Sequence, residues 1–123
     1  MKIQIKRIYE DPARGDGFRA LVDRLWPRGV SKDTAELDAW AKDVAPSSEL
    51  RKSCPRDTEH FPEFRELYLK EIRANGATID ALLEEVRASR KTTLTLLYAS
   101  REAELNHAVV LKEGIERLLF KTL

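Results

Sequence analysis

The chain has 123 residues, of which 42% are hydrophobic and 35% are charged. Because 22 Lys and Arg residues are balanced by 21 Asp and Glu residues, the net charge gives no indication of a long-range field that attracts nucleic acid or anionic lipid. A chain of this length and composition is expected to bury one hydrophobic core. We therefore predict a single domain spanning residues 1–123, present as a monomer or a weak homodimer.

Cys54 is the one cysteine of the chain, so no intramolecular disulfide can form and the composition fits a reducing compartment. The amino terminus, MKIQIKRIYE, alternates apolar and charged residues and lacks the apolar run of a signal peptide. No segment approaches the roughly 18 consecutive apolar residues of a membrane span. These features predict a cytoplasmic protein with no membrane partner.

Three segments have the character of β-strands. Residues 2–9 alternate apolar and polar side chains, which predicts a half-buried strand near a sheet edge. Residues 18–26 form the more continuous apolar run of an inner strand, which should stop at Pro27. Residues 92–99 are rich in β-branched and aromatic types, so they predict a strand that is buried on both faces.

Residues 34–45 fit either a helix or a strand, since Leu37, Trp40 and Val44 have helical spacing but the apolar residues also alternate. After this segment, Ser47 or Ser48 is expected to cap a short helix.

Two longer helices are predicted in the middle of the chain. Apolar residues at helical spacing indicate a helix over residues 61–72, and the pair Asn75-Gly76 is expected to end it in a left-handed conformation. Thr78 is then expected to cap a helix that runs to about residue 89.

A last helix is predicted after the third strand, with Ser100 as its cap and Gly114 at a position that allows close packing. The resulting order of strand, strand, several helices, strand and helix predicts an α/β fold. We expect a small, mostly parallel β-sheet of three or four strands, layered with about four to five helices.

Polar side chains gather where two of the predicted strands end. In open α/β sheets, ligands bind outside the carboxyl ends of the strands. If the two strands are neighbours, these side chains converge on one crevice that suits a phosphate, sulfate or carboxylate. The candidates from the two strand ends are Arg24, Trp26, Arg28, Tyr98, Ser100, Arg101, Asn106 and His107.

Each candidate also has a structural explanation. Arg24 is expected to pair with other charges at the strand end, or to bind a ligand. Trp26 fits a core position better than a ligand wall, and Ser100 is most simply a helix cap. His107 is either a histidine at the boundary of the core or a catalytic acid or base.

The soft metal ligands are few and scattered along the chain at Cys54, His60 and His107. We therefore predict no metal site and no cofactor. The chain also lacks the glycine-rich motifs that bind dinucleotides and nucleoside triphosphates.

Four segments, in the same order, are similar to the DUF488 family, a domain of unknown function, and in particular to its short, YeaO-like branch. The resemblance covers almost the whole chain and implies a compact α/β domain of bacterial, cytoplasmic type. The segments are VDRLWPRG at 22–29, WAKDVAPSSELRK at 40–52, EFRELYLKEI at 63–72 and LTLLYASREAELNHAVVL at 94–111.

The resemblance adds Lys42, Ser47 and Arg51 to the candidate ligand-binding residues. An arginine and a lysine flanking the amino terminus of a short helix are suited to an anion. The structural alternative is that Ser47 caps the helix, Arg51 pairs with Glu49 or another neighbour, and Lys42 is solvated.

The longer members of the family resemble this chain at the third strand but carry cysteines where Tyr98 and Asn106 stand and an arginine where Ala108 stands. A thiol mechanism is therefore not implied here, and His107 is the polar group that both branches share.

Two functions follow from these features. The first is a pocket for a small anionic or nucleotide-like ligand, with His107 as acid or base if the protein is a hydrolase of phosphoryl or glycosyl bonds. The alternative is a non-enzymatic module that contacts a protein or a nucleic acid through the same arginines and tryptophan. The near-neutral composition makes nucleic acid the less favoured partner.

Overall fold

The computed structural model describes residues 1–55 and 57–121 and contains a four-stranded parallel β-sheet. The spatial order of the strands is β1-β4-β2-β3, so β4 and β2 are the inner strands. The prediction of an α/β fold with a small parallel sheet is confirmed. The strands are β1 (Lys2–Arg7), β2 (Phe18–Leu21), β3 (Ala39–Trp40) and β4 (Thr93–Tyr98).

Five α-helices accompany the sheet in the described residues, together with short 3-10 turns at Arg14–Asp16 and Lys42–Val44. The predicted number of helices is also confirmed. The helices are α1 (Lys32–Ala35), α2 (Ser48–Lys52), α3 (Phe61–Ala74), α4 (Gly76–Ala88) and α5 (His107–Lys121).

The larger part of the core lies between one face of the sheet and helices α3, α4 and α5. Leu94 and Leu96 of β4 are fully buried there, and Ile115 of α5 is also fully buried. Gly114 lets α5 approach α3 closely, because a Cβ at this position would lie 3.0 Å from two atoms of Ile72. The predicted role of Gly114 in close packing is therefore confirmed.

The opposite face of the sheet is covered by loops and by α1. Ile8, Leu21, Ala35 and Leu97 form a smaller apolar cluster there. The chain crosses this face between β1 and β2 and between β2 and β3, and it returns from β3 to β4 through the helices of the first face. The connections that run in opposite directions along the sheet cross opposite faces of it. All three crossovers therefore have the same handedness, as expected for parallel sheets.

A buried ionic group lies beneath the loops of this second face. The Asp16 carboxylate accepts hydrogen bonds from Lys6 Nζ at 3.1 Å and from the Arg19 guanidinium. Arg19 also donates to the Ala35 and Glu36 carbonyls, which holds α1 against the sheet. Since both charges of the Asp16–Arg19 pair are buried, each depends on the other for compensation.

Strand β2 ends earlier than predicted, at Leu21 instead of residue 26. Val22 still donates to the Leu97 carbonyl at 3.0 Å, but the next link to β4 is made by a side chain, because Asp23 Oδ2 accepts from the Ala99 N–H at 3.0 Å. A carboxylate thus replaces the backbone ladder where the two inner strands separate.

The segment 34–45, which fitted helix or strand, contains short pieces of both. Helix α1 ends at Ala35, where Glu36 adopts a left-handed conformation with φ of 46°. Strand β3 then pairs with β2 over two residues, and the 3-10 turn at Lys42–Val44 follows.

The predicted stop at Asn75-Gly76 is wrong in detail. Asn75 has φ of −103°, Gly76 is the first residue of α4 and does not have a positive φ. Asn75 donates its N–H to the Glu71 carbonyl, while its own carbonyl accepts from Thr78. One residue therefore joins the two helices, and Thr78 lies inside α4 rather than capping it.

The last helix begins later than predicted. Asn106 precedes α5 and caps it, because its Oδ1 accepts from the Val109 N–H at 3.1 Å. Ser100 instead stabilises a local turn, in which its Oγ accepts from the Glu102 N–H at 3.1 Å. His107 is therefore the first residue of α5, whereas a cap at Ser100 would place it one to two turns along the helix.

Candidate functional site

The carboxyl ends of β2 and β4 are neighbours, and a cleft of about 160 Å³ lies beside them. The loop after β2, the segment before α2 and the start of α5 complete its walls. Four of the sequence-predicted site residues line this cleft, namely Arg24, Arg51, Ser100 and His107. The other lining residues are Asp23, Leu25, Ala45 and Pro46.

Asp23 and His107 form a close pair at the base of this arrangement. Asp23 Oδ1 lies 2.9 Å from His107 Nε2, and both side chains are 16% exposed. Nε2 also lies 3.1 Å from the Val22 carbonyl oxygen, which has the better alignment for a hydrogen bond. Within the described residues Oδ1 has no hydrogen-bond partner, so its contact with the imidazole is electrostatic.

Arg24 is anchored by backbone carbonyls. Its Nε donates to the Pro46 carbonyl at 3.1 Å and its Nη2 donates to the Ala45 carbonyl at 3.3 Å. A guanidinium has five N–H donors, so these bonds leave three donors without a partner in the described part of the chain. The anchored side chain therefore keeps hydrogen-bonding capacity at the wall of the cleft.

Arg51 reaches the same cleft from α2. It is exposed, and its side chain has no hydrogen-bond or ion-pair partner among residues 1–55 and 57–121. The expected pairing with Glu49 is therefore absent in this region. Arg51 and Arg24 together place two guanidinium groups around one small space.

Ser47 does not face this cleft but caps α2, with its Oγ accepting from the Leu50 N–H at 3.3 Å. Its N–H and hydroxyl both donate to the Glu71 carboxylate, at 2.9 and 2.7 Å. The carboxylate of α3 thus already occupies the amino terminus of α2, where the sequence predicted an external anion.

Trp26 and Arg28 lie in the loop that follows β2. The Trp26 indole N–H donates to the Val30 carbonyl at 2.7 Å, and its ring meets Trp40 edge-on at 5.3 Å between centroids. Arg28 is exposed, and its carbonyl accepts from the Tyr9 hydroxyl. Neither side chain lines the cleft.

Lys42 and Arg101 are also outside the cleft. The Lys42 ammonium lies 5.0 Å from the centroid of the Trp40 ring, in a cation–π contact. Arg101 is exposed on the turn that follows β4.

Tyr98 and Asn106 point into the core instead of the cleft. Burial raises the pKa of the Tyr98 hydroxyl and the Glu10 carboxylate adds to the rise, whereas Arg7 and a hydrogen bond with Asn106 act in the opposite direction. Asn106 donates to the Glu102 carbonyl at 2.6 Å and is 1% exposed. Its side chain is thus fully used in the turn before α5.

Asp23 was not among the predicted ligand-binding residues, although it lies beside Arg24 at the strand end. Its role depends on Ala99 and His107, which are distant in the sequence. Nothing in the local sequence indicated that Glu71 contacts Ser47, since Glu71 resembles any polar residue of an amphipathic helix. In the part of the chain described here, no group of three or more His, Cys, Asp or Glu side chains could hold a metal ion.

Residues 2–122 match the family described as the inactive DUF488-N3 subclade. The chain belongs to the DUF488 family. The resemblance found in the sequence is therefore confirmed, including its YeaO-like character.

Two relatives illustrate the similarity. The uncharacterized protein YeaO of Escherichia coli (strain K12) is 41% identical over 118 residues, covering 96% of this chain and all of YeaO. The uncharacterized protein Rv3073c of Mycobacterium tuberculosis (strain ATCC 25618 / H37Rv) is 38% identical over 112 residues, covering 91% of this chain and 92% of that protein.

No solved structure matches the chain. Among the residues described, none of the helices combines the length and the apolar character needed to cross a bilayer.

Proposed function

We propose that this DUF488 protein binds a small oxyanion, of the phosphate or carboxylate class, in the cleft between the ends of β2 and β4. The observation that carries the proposal is the convergence of Arg24 and Arg51 on one concave space. Guanidinium groups hydrogen-bond the oxygens of carboxylates and phosphates through their fork of donors. The carbonyls that hold Arg24 also reduce the conformational entropy that it would lose on binding.

The size of the cleft favours a ligand of few atoms. Pockets for drug-sized molecules have volumes of about 300–1,000 Å³, whereas this cleft has about 160 Å³. A single phosphate, sulfate or short carboxylate suits that volume, and a whole nucleotide does not. The ligand class is therefore narrower than the sequence alone predicted.

Binding without turnover is the form of this function that we favour. The matching family is described as inactive, which supports a binding role over hydrolysis. Ser100 lies in the cleft, but its hydroxyl oxygen already accepts a backbone hydrogen bond in a turn. The size of the cleft disfavours the alternative of a nucleic-acid contact, since a concave space of about 160 Å³ can admit one phosphate group but not the row of phosphates that a nucleic-acid-binding protein contacts.

Isothermal titration with inorganic phosphate tests the proposal through Arg51→Gln. Arg51 is exposed and makes no side-chain bond in the described region, so the substitution should change the free energy of unfolding by less than about 0.5 kcal/mol. Loss of a charge-assisted hydrogen bond should weaken phosphate binding by about tenfold or more.

Arg14→Gln provides the matched control, because Arg14 is exposed and lies outside the cleft. It should bind phosphate as the unsubstituted protein does. Equal affinities for all three proteins, or no binding of phosphate to any of them, would contradict the proposal. Tighter binding of an oligonucleotide than of phosphate in the same buffer would favour the interaction module instead.

A further inference from the structure

The contacts of His107 determine which of its ring nitrogens can meet a ligand. Nε2 lies 2.9 Å from Asp23 Oδ1 and 3.1 Å from the Val22 carbonyl oxygen. A carbonyl and a carboxylate are both hydrogen-bond acceptors. An unprotonated Nε2 would point its lone pair at two other acceptors, so Nε2 carries a proton whether the ring is neutral or charged.

The other ring nitrogen, Nδ1, is therefore the one left for a ligand in the cleft that His107 lines. In the neutral ring Nδ1 is an acceptor, and in the charged ring it is a donor. A ligand oxygen without a proton can accept a hydrogen bond from Nδ1 when the ring is charged and Nδ1 carries the proton. A ligand hydroxyl can bond to the neutral ring. Either contact contains one proton between Nδ1 and the ligand oxygen.

We propose that the cleft binds its oxyanion together with one proton, shared with His107 Nδ1, and that Asp23, as a positioning residue, imposes this requirement together with the Val22 carbonyl. The inference rests on the proposed function and narrows its ligand to proton-bearing oxyanions of the hydrogen-phosphate type. Hydrogen phosphate supplies the proton itself. Sulfate has the same shape but depends on the ring for the proton, so the site discriminates against sulfate once the ring is neutral.

The charged groups around the ring allow this dependence to be measured. Asp23, Arg24 and Arg51 line the same cleft, and arginines keep their charge throughout the accessible pH range. Tyr98 lies at the end of β4, and burial raises the pKa of its hydroxyl. Histidine is the side-chain type that ordinarily changes charge between about pH 5 and pH 8, and His107 is the histidine that lines the cleft.

The test compares the dissociation constants of inorganic phosphate and sulfate at about pH 6 and about pH 8.5, at equal ionic strength. An affinity that depends on the uptake of one proton changes by up to about tenfold per pH unit. The preference for phosphate over sulfate should therefore rise by about tenfold or more at the higher pH. A preference that does not change with pH would overturn the inference but leave oxyanion binding intact. Failure of both anions to bind at either pH would overturn the proposed function as well.

Asp23→Asn tests the positioning role directly. In the unsubstituted protein the Ala99 N–H donates to Asp23 Oδ2. In the variant it should donate to the oxygen of the new amide, which turns the amide N–H₂ toward His107 Nε2. The variant thus replaces one of the two acceptors at Nε2 by a donor, so that the Val22 carbonyl alone holds the proton there and the tautomer with the proton on Nδ1 becomes more populated, in the direction of an Asp→Asn change in serine hydrolases. Sulfate would then bind a larger share of the neutral rings without an added proton, and the phosphate preference should change less with pH than it does in the unsubstituted protein.

Asp80→Asn is the control, since Asp80 is exposed on α4 and the charge change is the same. It should retain the full pH dependence. Nitrogen-15 chemical shifts of His107 give a second readout that needs no variant. In the unsubstituted protein at high pH, a proton on Nε2 supports the inference, and a proton on Nδ1 overturns it.

Discussion

Gly17 shows how one backbone position limits the choice of side chain. It has φ of 61°, and a Cβ added there would lie 2.4 Å from the Thr93 carbonyl oxygen. Both the left-handed backbone and the close approach to β4 exclude an ordinary side chain. We expect Gly17→Ala to lower the free energy of unfolding by about 1–3 kcal/mol, which chemical denaturation would measure.

Gly15→Ala is the corresponding control. Gly15 has no atom within 4 Å of an added Cβ and does not have a positive φ. The change should leave the stability within about 0.5 kcal/mol of the original value. Equal losses for the two substitutions would show that the close contact at Gly17 is not the cause.

Asp16 links the stability of the fold to pH. Burial would raise the pKa of its carboxyl, but the hydrogen bonds from Ala13, Lys6 and Arg19 outweigh this effect and lower the pKa below 3.8. A carboxyl whose pKa is lower in the folded state contributes stability above its unfolded pKa. That contribution is lost as the pH falls through the folded pKa.

We therefore expect Asp16→Asn to destabilise the protein at neutral pH by about 3 kcal/mol, since it leaves the Arg19 charge uncompensated. The difference from the unsubstituted protein should shrink as the pH falls below 3.8, where the native carboxyl also becomes protonated. Urea denaturation at several pH values measures both effects. A difference that grows in acid would contradict this explanation.

Single residues of the candidate site differ in how well the sequence predicted their position. Arg24 and His107 were both predicted near the ends of the inner strands and both line the cleft, although His107 begins α5 instead of lying further along it. Trp26 and Arg28 lie further along the loop that follows the same strand, and neither side chain lines the cleft. Local sequence does not specify the course of that loop, because it depends on the packing of Trp26 against Trp40.

At the scale of elements, Glu71 joins α3 to the start of α2. Its carboxylate accepts from the N–H and the hydroxyl of Ser47. We expect Glu71→Ala to lower the free energy of unfolding by about 1–3 kcal/mol, because both donors lose their partner. Lys70→Ala, an exposed position on the same helix, should have little effect. Thermal unfolding of the two variants checks this, and equal melting temperatures would contradict it.

Element types were predictable where apolar periodicity was strong, as in β4 and α3. The ends of elements were less predictable, because long-range contacts decide them. Asp23 terminates the pairing of β2 by binding Ala99, and Asn106 rather than Ser100 caps α5. Ser100 and Asn106 lie in one loop and are equivalent as caps in the sequence, and the packing of the helix selects Asn106.

At the scale of the whole molecule, the class of fold followed from the order of the elements, but the order of strands in the sheet did not. Placing β4 between β1 and β2 requires pairings between segments far apart in the chain, and no local pattern encodes such a pairing. This placement matters for function, because it brings the ends of β2 and β4 together and with them Arg24 and His107.

Oxyanion binding in the cleft can be observed in a crystal structure of the protein grown or soaked with inorganic phosphate. We predict phosphate in the cleft, within hydrogen-bond distance of the guanidinium groups of both Arg24 and Arg51. A cleft without phosphate in crystals where the ion binds only exposed arginines such as Arg28 or Arg101 would contradict the account.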